Sequence, residues 1–359
     1  MKINIFYIFF VSFASVLCAQ KVDSIRIAYD YVYFDPQKAI EMADQIIKNS
    51  NDKNDQITAR LIKTNAYTSL DDSYNSLKYA FETYDYIKKE KDIFNEARIL
   101  GRLGELFQGY GFNTQSREYL DESVNLISSN AFPSEKKAMY FGNIYGIKGN
   151  GYKDDLDCDF AIKYYDKAIK AYKNSESNQS ILNNLALVYI EKSNCLIDQH
   201  QVDSAKIYLN EAMEVVQKNN LEEYDQSAKI SLAKIYQYEK DYHKSNSLLI
   251  NVLNDIQSSR PLQVSSEIYK LLAQNSFELK DFEAYKKYVD LGNKANFTLE
   301  KTFLATQEKS LNYLLHKDDT IIARLLKFWL PISLILILSV LIFRKIYIIN
   351  RINNKNTIS

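Results

Sequence analysis

The sequence of 359 residues has few residues that break helices, with only 9 glycines and 4 prolines. Proteins built from strands and turns use more of both, so this scarcity favours an all-α chain. An excess of charge is absent too, because 45 Lys and Arg balance 45 Asp and Glu. Without a basic field the chain is not expected to bind nucleic acid.

Patterns typical of catalysis and metal binding are also missing. The 3 histidines, His200, His243 and His316, lie far apart and do not have the spacing of metal ligands. The sequence contains neither a phosphate-binding glycine loop nor a nucleophile motif. We therefore expect no enzyme activity and no cofactor, and we assign no catalytic, cofactor-binding or metal-binding residue.

What the chain does contain is an internal repeat. Leu232-Ala233 recurs as Leu272-Ala273, and Lys240-Asp241-Tyr242 recurs as Lys280-Asp281-Phe282. Both matches have the same offset, and a fixed period of about 40 residues is typical of stacked helical repeats.

The frame of this repeat extends towards the N-terminus through two positions per unit that usually hold small residues. Small residues at two fixed points allow two antiparallel helices to approach closely, and apolar residues at i+3 and i+4 form the stripe that each helix buries. One helix pair cannot bury both of its faces, so it must stack on neighbouring pairs. The first position holds Gly104, Gly149, Ser193, Ala233 and Ala273, and the second holds Ser116, Ala161, Ala205, Ser245 and Tyr285.

This pattern resembles the tetratricopeptide repeat, in which small residues of a helix-turn-helix unit make the close crossing. The resemblance extends from about Val22 to Lys294, although the units are longer than usual and lack the family's early Trp and closing Pro. It implies a right-handed all-α solenoid of about seven helical hairpins over residues 20–294. An unrelated helical bundle is the alternative.

The N-terminus is typical of a secretory signal peptide. A positive start precedes an apolar run from Ile5 to Leu17, which Cys18 and Ala19 follow. We predict that residues 1–19 are a signal peptide cleaved after Ala19. An uncleaved signal anchor is the main alternative. Lipidation of Cys18 is disfavoured because Leu17 lies where lipid attachment requires a small side chain.

A second hydrophobic segment is present near the C-terminus. No residue from Phe328 to Phe343 is charged, and a run of about 20 residues is enough to span a bilayer. We predict a transmembrane helix at 325–343, and the following Arg344 and Lys345 place a short tail, residues 344–359, in the cytoplasm. The solenoid would then lie in the periplasm, anchored by a single pass in the inner membrane. The tail is too short for an output domain.

Residues 295–324 are predicted to form an amphipathic juxtamembrane helix, with Phe303, Leu304, Leu311 and Leu315 among its apolar residues. A solenoid needs an end cap, and this helix is expected to provide it. The alternative is a stalk that pairs two copies of the chain above the membrane.

Two cysteines, Cys158 and Cys195, would remain after signal removal, in an oxidising compartment. Cys158 begins the second helix of one unit and Cys195 lies late in the first helix of the next. Because these helices should be antiparallel, the two cysteines are expected to lie near each other. One hypothesis is a disulfide that joins adjacent units. The other, which we favour, is two buried thiols that act as small apolar residues.

The concave face of such a solenoid comes mainly from the first helices. Asn and Lys separated by apolar gaps suit an extended peptide, and a generic solvated groove is the alternative. The family's best-known groove clamps a C-terminal carboxylate, but Gly146 and Ile190 replace the Lys it needs. The residues predicted to line this face are Asn143, Asn150, Lys153, Ile190, Asn194, Ile197, Ile230, Lys234, Gln237, Tyr238, Lys270, Gln274 and Phe277.

The order of these segments resembles the periplasmic sensor half of membrane-anchored tetratricopeptide regulators of Bacteroidetes-type bacteria, without their cytoplasmic output domain. The resemblance implies a module that binds a protein or peptide in envelope sensing, through a separate membrane signalling partner or as a homodimer. The alternative is a structural scaffold for assembly of an envelope complex.

Overall fold

The computed structural model describes residues 24–255 and 262–317, and these contain 14 helices and no strand. Consecutive helices pair as hairpins 1 to 7, so that α1 and α2 form hairpin 1 and α13 and α14 form hairpin 7. The helices are α1 (24–34), α2 (Pro36–Asn49), α3 (Lys53–Ser69), α4 (Ser73–Glu90), α5 (Ile93–Gly109), α6 (Asn113–Ser128), α7 (Ser134–Asp155), α8 (Cys158–Lys173), α9 (Gln179–Asp198), α10 (Val202–Lys218), α11 (Glu222–Tyr238), α12 (Tyr242–Asp255), α13 (Leu262–Glu278) and α14 (282–317).

The predicted helical hairpins are therefore confirmed. The chain divides into two compact units, Met1–Gln307 and Glu308–Ser359, and the hairpins belong to the first as far as Gln307. The predicted signal peptide (1–19), transmembrane helix (325–343) and tail (344–359) lie outside the described residues. Among the helices that are described, none has both the length and the apolar composition needed to cross a bilayer.

The small residues of the repeat lie where the two helices of a hairpin cross. A Cβ added to Gly104 would be 2.5 Å from Leu120 Cδ2, so only a residue without a side chain fits there. In hairpin 5 the Ser193 hydroxyl donates a 2.9 Å hydrogen bond to the Ala205 carbonyl oxygen. The first helices also contact one another, from α5 to α7, α9, α11 and α13, and so form a continuous inner row.

The recurring Lys-Asp pair in the sequence is the turn within a hairpin. Lys240 and Lys280 have φ angles of 65° and 59°, in the left-handed region, directly after the first helix. The next residue, Asp241 or Asp281, donates its backbone N–H to a carbonyl oxygen five residues earlier, as in a Schellman motif. Each Asp side chain then accepts a hydrogen bond from a backbone N–H of the following helix. The same φ region is adopted by Gly111 in hairpin 3.

Replacing Lys240 with glycine is expected to raise the free energy of unfolding by about 1 kcal/mol, because a Cβ is disfavoured in the left-handed region. Lys240 is exposed, so no packing is lost. Lys240→Ala is the matched control, since it removes the long side chain but keeps the Cβ, and it should give no gain. Urea unfolding measures both variants, and equal midpoints for glycine and alanine would contradict the explanation.

Adjacent hairpins are joined by buried lysines that repeat along the chain. Each lysine lies on a first helix, pairs with an aspartate on the preceding second helix and lies over a tyrosine ring of its own hairpin. Because the lysines are 8%, 5% and 4% exposed, they need these partners. The three sets are Asp44–Lys63–Tyr79, Asp121–Lys148–Tyr164 and Asp166–Lys192–Tyr208.

Helix α14 differs from the prediction at its N-terminal half. The sequence predicts that the repeats end at 294 and that a separate helix occupies 295–324, whereas α14 continues without a break from 282 to 317. Only Gly292 interrupts its sequence, and one glycine inside a helix costs about 1 kcal/mol, too little to end it. The second helix of hairpin 7 and the predicted juxtamembrane helix are thus one element as far as residue 317.

The two cysteines lie as close as the antiparallel arrangement requires. The Cα atoms of Cys158 and Cys195 are 5.2 Å apart, and their sulfur atoms are joined in a disulfide, not held as the two buried thiols favoured from the sequence. Cys195 is fully buried in α9, while Cys158 is the first residue of α8. The bond connects hairpin 4 covalently to hairpin 5.

Candidate binding groove

A groove of about 400 Å³ lies along the inner row of first helices in hairpins 2 to 5. Its walls are α3, α5, α7 and α9, with single contributions from Tyr29 of α1 and Tyr172 of α8. A volume of this size is within the range of small-ligand and peptide side-chain sites. We refer to this space as the inner groove.

Two glycines at one repeat position line the groove in hairpins 3 and 4. Gly101 and Gly146 each lie three residues before the small residue at the helix crossing, and both line the groove. The same position holds Ile190 in hairpin 5 and Ile230 in hairpin 6. Both isoleucines are buried, at 1% and 5% exposure. Beside Gly101 the corresponding space is filled by Ile144, whose Cδ1 would be 2.7 Å from an added Cβ, and beside Gly146 the nearest atom is Val188 Cγ2 at 3.4 Å.

Two matching arrangements of glycine, tyrosine and asparagine form one wall of the groove. Gly149 and Asn150 are neighbours on α7, and the ring of Tyr165 packs over Gly149, where an added Cβ would be 2.5 Å from its Cδ1. The Tyr165 hydroxyl donates a 2.8 Å hydrogen bond to Asn150 Oδ1. Two helical turns earlier, Gly142 and Asn143 meet Tyr172 in the same way, with a hydroxyl-to-Oδ1 distance of 2.9 Å.

The tyrosines orient the asparagine side chains. Burial raises the pKa of both Tyr165 and Tyr172, so the phenols stay protonated and act as donors. Because each Asn Oδ1 accepts from a phenol, the Nδ2 group of the same amide faces away from that phenol. Asn143 and Asn150 both line the groove, and in each the Oδ1 is engaged by a phenol while the Nδ2 donor is the amide group left for a ligand. Asn184 adds to this set by donating from Nδ2 to Asn143 Oδ1 at 3.0 Å.

The opposite wall contains two buried polar atoms that have no hydrogen-bond partner. They are Asn65 Oδ1 on α3 and Arg102 Nε on α5, one acceptor and one donor. Both residues line the groove. The other nitrogens of Arg102 are used, since Nη1 bonds Glu105 Oε2 at 2.6 Å and Nη2 bonds Thr68 Oγ1 at 3.0 Å. A buried polar atom without a partner is disfavoured by about 1–3 kcal/mol. Both atoms are closed off from solvent, so a ligand would reach them only after a local rearrangement of the wall.

Charges at the groove are largely paired. Glu191 lines the groove and accepts a 2.6 Å hydrogen bond from Lys153 Nζ. Burial lowers the pKa of Lys153, but the charge and hydrogen bond of Glu191 outweigh it, so the pKa is raised overall and the lysine stays charged. Arg98, one turn before Arg102, donates to Asn95 Oδ1 at 2.7 Å and has no carboxylate partner among the described residues.

Asn143 and Asn150 are the predicted site residues that the structure brings together in this groove. Farther along the chain, the predicted polar residues bond to one another between hairpins. Asn194 Oδ1 accepts from Ser231 and Lys234, Lys234 pairs with Glu267 at 2.5 Å, and Gln237 donates to Asn275 and Gln274. Tyr238, Lys270 and Phe277 are exposed beyond the groove.

Three of the predicted lining residues are core residues instead, which corrects their placement. Ile190, Ile197 and Ile230 are 1%, 9% and 5% exposed. Ile190 and Ile197 belong to the apolar core around the disulfide, and Ile230 belongs to the core of hairpins 6 and 7. Burying a large apolar side chain between hairpins stabilises the fold, whereas leaving it exposed to solvent at the groove surface does not.

Sequence reasoning missed the groove residues of hairpins 2 and 3, although one signal could have found them. Arg98 and Glu105 have the same offsets from Gly104 that Asn143 and Asn150 have from Gly149. Applying the frame to hairpin 3 would have placed both on the inner face. Asn65 and Arg102 had no such signal, because their importance comes from unpartnered atoms that only the packed structure shows.

No protein-family model and no curated protein sequence matches the chain. Several solved structures have a similar fold. The apo form of RapI has 15% identity and a TM-score of 0.56 over 76% of this chain and 99% of that chain. NprR in complex with its cognate peptide NprX has 17% identity and a TM-score of 0.52 over 82% and 83%.

A third neighbour is a signal transduction ATPase with numerous domains and a tetratricopeptide repeat sensor, from Pyrococcus horikoshii. It has 12% identity and a TM-score of 0.55, and the match covers 83% of this chain but 46% of that one. At such identities the likeness concerns the fold. Seven stacked hairpins with small residues at their crossings and these neighbours together give this chain a tetratricopeptide-repeat-type fold.

Proposed function

We propose that the chain binds a peptide, or an extended segment of a protein, in the inner groove. The observation that carries this proposal is the pair of Gly-Tyr-Asn arrangements, which hold two amide donors in fixed orientations. Positions 143 and 150 are two helical turns apart, about 10 Å along α7. Preorganised donors at that spacing suit the carbonyl groups of an extended backbone.

The facing wall supports the same class of ligand. A peptide unit contains one acceptor, the carbonyl oxygen, and one donor, the N–H. Arg102 Nε and Asn65 Oδ1 are the complementary pair, and both are buried without partners, so a peptide unit would satisfy them once the wall opens to it. Between the polar groups, Leu61, Ile147 and Leu187 provide apolar surface for side chains of the ligand. The fold neighbour NprR was solved with its cognate peptide, which supports a peptide as the ligand of this fold.

We further propose that this module functions in envelope sensing, outside the cytoplasm and anchored by a single pass in the inner membrane, without catalysis of its own. The apolar start of the sequence and the uncharged run from Phe328 to Phe343 support export and anchoring. A disulfide between Cys158 and Cys195 suits an oxidising compartment. Signal output would then pass through a separate membrane partner.

Photocrosslinking in cells tests the groove. A photoreactive residue replaces Leu187, which lines the groove, or Ile207, which is 61% exposed on the second helix α10. We expect capture of a peptide or protein segment at 187 but not at 207. Capture should fall about tenfold or more in Asn150→Asp, which keeps the acceptor for Tyr165 but replaces the amide donor.

Gln274→Glu is the matched control, because residue 274 has the same repeat position in hairpin 7, outside the groove. It should leave capture at 187 unchanged. If capture is equal at both probe positions, or insensitive to Asn150→Asp, the groove is not the working site. Recovery of the same large envelope assembly from both probe positions would favour a scaffold.

A further inference from the structure

Helix α14 contacts hairpins 2 and 3, which are distant in sequence. Ser73, the first residue of α4, donates from Oγ to the carbonyl oxygen of Thr306 at 2.8 Å. Gln307 Nε2 donates to the carbonyl oxygen of Tyr110 at 3.1 Å. Tyr110 is the C-cap of α5. The last hairpin is thus tied to the ends of α4 and α5.

The contact is closely packed. Gly111, in the turn after α5, has a φ of 81°, and an added Cβ would be 2.6 Å from Gln307 Nε2 and 2.8 Å from Phe303 Cζ. Ser73 and Tyr110 are 1% and 7% exposed. We call the contact of residues 303–307 with Ser73, Tyr110 and Gly111 the α14 clasp.

Hydrogen bonds connect the clasp to the inner groove. Arg102 lines the groove and donates from Nη2 to Thr68 Oγ1 at 3.0 Å. Thr68 Oγ1 is 2.8 Å from the Ser76 hydroxyl, in the same first turn of α4 as Ser73. Arg102 also lies on α5, the helix whose C-cap is Tyr110. The groove and the clasp are therefore joined by two routes, one through α4 and one through α5.

Arg102 is the residue on which both sites depend. Its Nη2 holds Thr68, while its Nε is buried in the groove wall without a partner. Because the guanidinium is planar and rigid, a rearrangement that exposes Nε to a ligand oxygen would also move Nη2. Thr68, and through it Ser76 in the first turn of α4, are the groups that a movement of Nη2 would affect first.

We propose that occupancy of the inner groove regulates the α14 clasp through Arg102, and that clasp state in turn regulates the groove. This inference rests on the proposed function only in taking the inner groove as the ligand site. By thermodynamic linkage the effect is reciprocal. If the ligand changes the equilibrium constant for clasp closure by some factor, clasp closure changes the affinity for the ligand by the same factor. Phe303 and Leu304 are 43% and 57% exposed. Because this part of α14 has little other packing, we expect the clasp to contribute most of the protection of residues 303–307 against amide exchange.

Hydrogen exchange of the full chain in detergent micelles, without ligand, tests the coupling. Arg102→Met should increase amide exchange in residues 300–307 by about fivefold or more, the lower end of typical allosteric couplings. Arg98→Met is the matched control, because Arg98 lines the same groove one turn earlier but bonds Asn95 of its own helix. It should leave exchange in 300–307 unchanged.

Thr68→Val is the second variant, since it removes the hydroxyl but keeps the shape of the side chain. It should reproduce the effect of Arg102→Met, and the double variant should add little to either. Exchange in hairpins 4 and 5 should stay constant in every variant, which excludes global unfolding. Unchanged exchange in 300–307 in Thr68→Val, or an equal increase in Arg98→Met, would overturn the proposal. Because no ligand is used, that result leaves groove binding intact. Failed crosslinking at 187 would instead remove the ligand from the proposal, while the link between Arg102 and residues 300–307 would still stand on the exchange data.

Discussion

Reduction of the disulfide between Cys158 and Cys195 is expected to lower the free energy of unfolding by about 2–4 kcal/mol. The bond closes a segment with a sequence separation of 37, so it removes many conformations from the unfolded chain. Within the chain-entropy description this separation corresponds to about 4 kcal/mol, the upper end of the usual range. It also fixes hairpin 4 to hairpin 5, the two hairpins that carry Asn143, Asn150 and Asn184.

Urea unfolding of the full chain in micelles, with and without reductant, measures this effect. The double variant Cys158→Ala/Cys195→Ala is the control, because it should unfold at the same urea concentration in both conditions. Alanine suits the buried position of Cys195 better than serine, whose hydroxyl would need a partner. If reductant shifts the double variant as much as the parent, the shift has another origin. If it shifts neither, the two residues contribute as thiols.

Most of the fold could be predicted from the sequence because its signals are local. The match between Lys240-Asp241 and Lys280-Asp281 repeats a turn whose geometry depends on adjacent residues, a left-handed C-terminal position followed by an N-cap. Gly149 and Ala161 likewise lie within one hairpin. A pattern confined to one hairpin can be recognised in the sequence without knowing which hairpins contact one another.

The groove was predicted only in part because its shape depends on contacts between hairpins. Ile190 and Ile230 occupy the repeat position of Gly101 and Gly146, yet the isoleucines are buried in the core while the glycines line the groove. A helical frame gives the direction of a side chain but not whether a neighbouring hairpin covers it. The inner groove therefore covers hairpins 2 to 5, whereas the predicted face runs from hairpin 4 to hairpin 7.

The clasp left no signal in the sequence. Ser73 and Thr306 are separated by 233 residues, and Tyr110 and Gln307 by 197. Serine and glutamine are common at exposed positions, so neither residue type indicates a long-range contact. The continuity of α14 was missed because the repeat pattern ends near Gly292, whereas the residues that follow still favour a helix.

Gly149→Ala is expected to destabilise the chain by about 1–3 kcal/mol, the usual cost of overpacking a buried site. The new Cβ would be 2.5 Å from Tyr165 Cδ1, and because that ring is fully buried it can give way only by displacing packed neighbours. Gly151→Ala is the matched control on the same helix, because its nearest neighbour would be Gln108 Cγ at an ordinary 3.6 Å. There alanine should stabilise by about 0.5–1 kcal/mol, as in any open helical position.

The two substitutions add the same methyl group two residues apart, so opposite shifts in urea midpoint isolate the contact with Tyr165. The consequence for function follows from the same contact. A displaced Tyr165 ring moves its hydroxyl away from Asn150 Oδ1, and the amide loses the bond that orients it towards the groove. Capture by a photoreactive residue at 187 should therefore fall in Gly149→Ala and persist in Gly151→Ala. If Gly149→Ala is destabilised while capture stays unchanged, the tyrosine serves packing alone and does not orient Asn150 for a ligand.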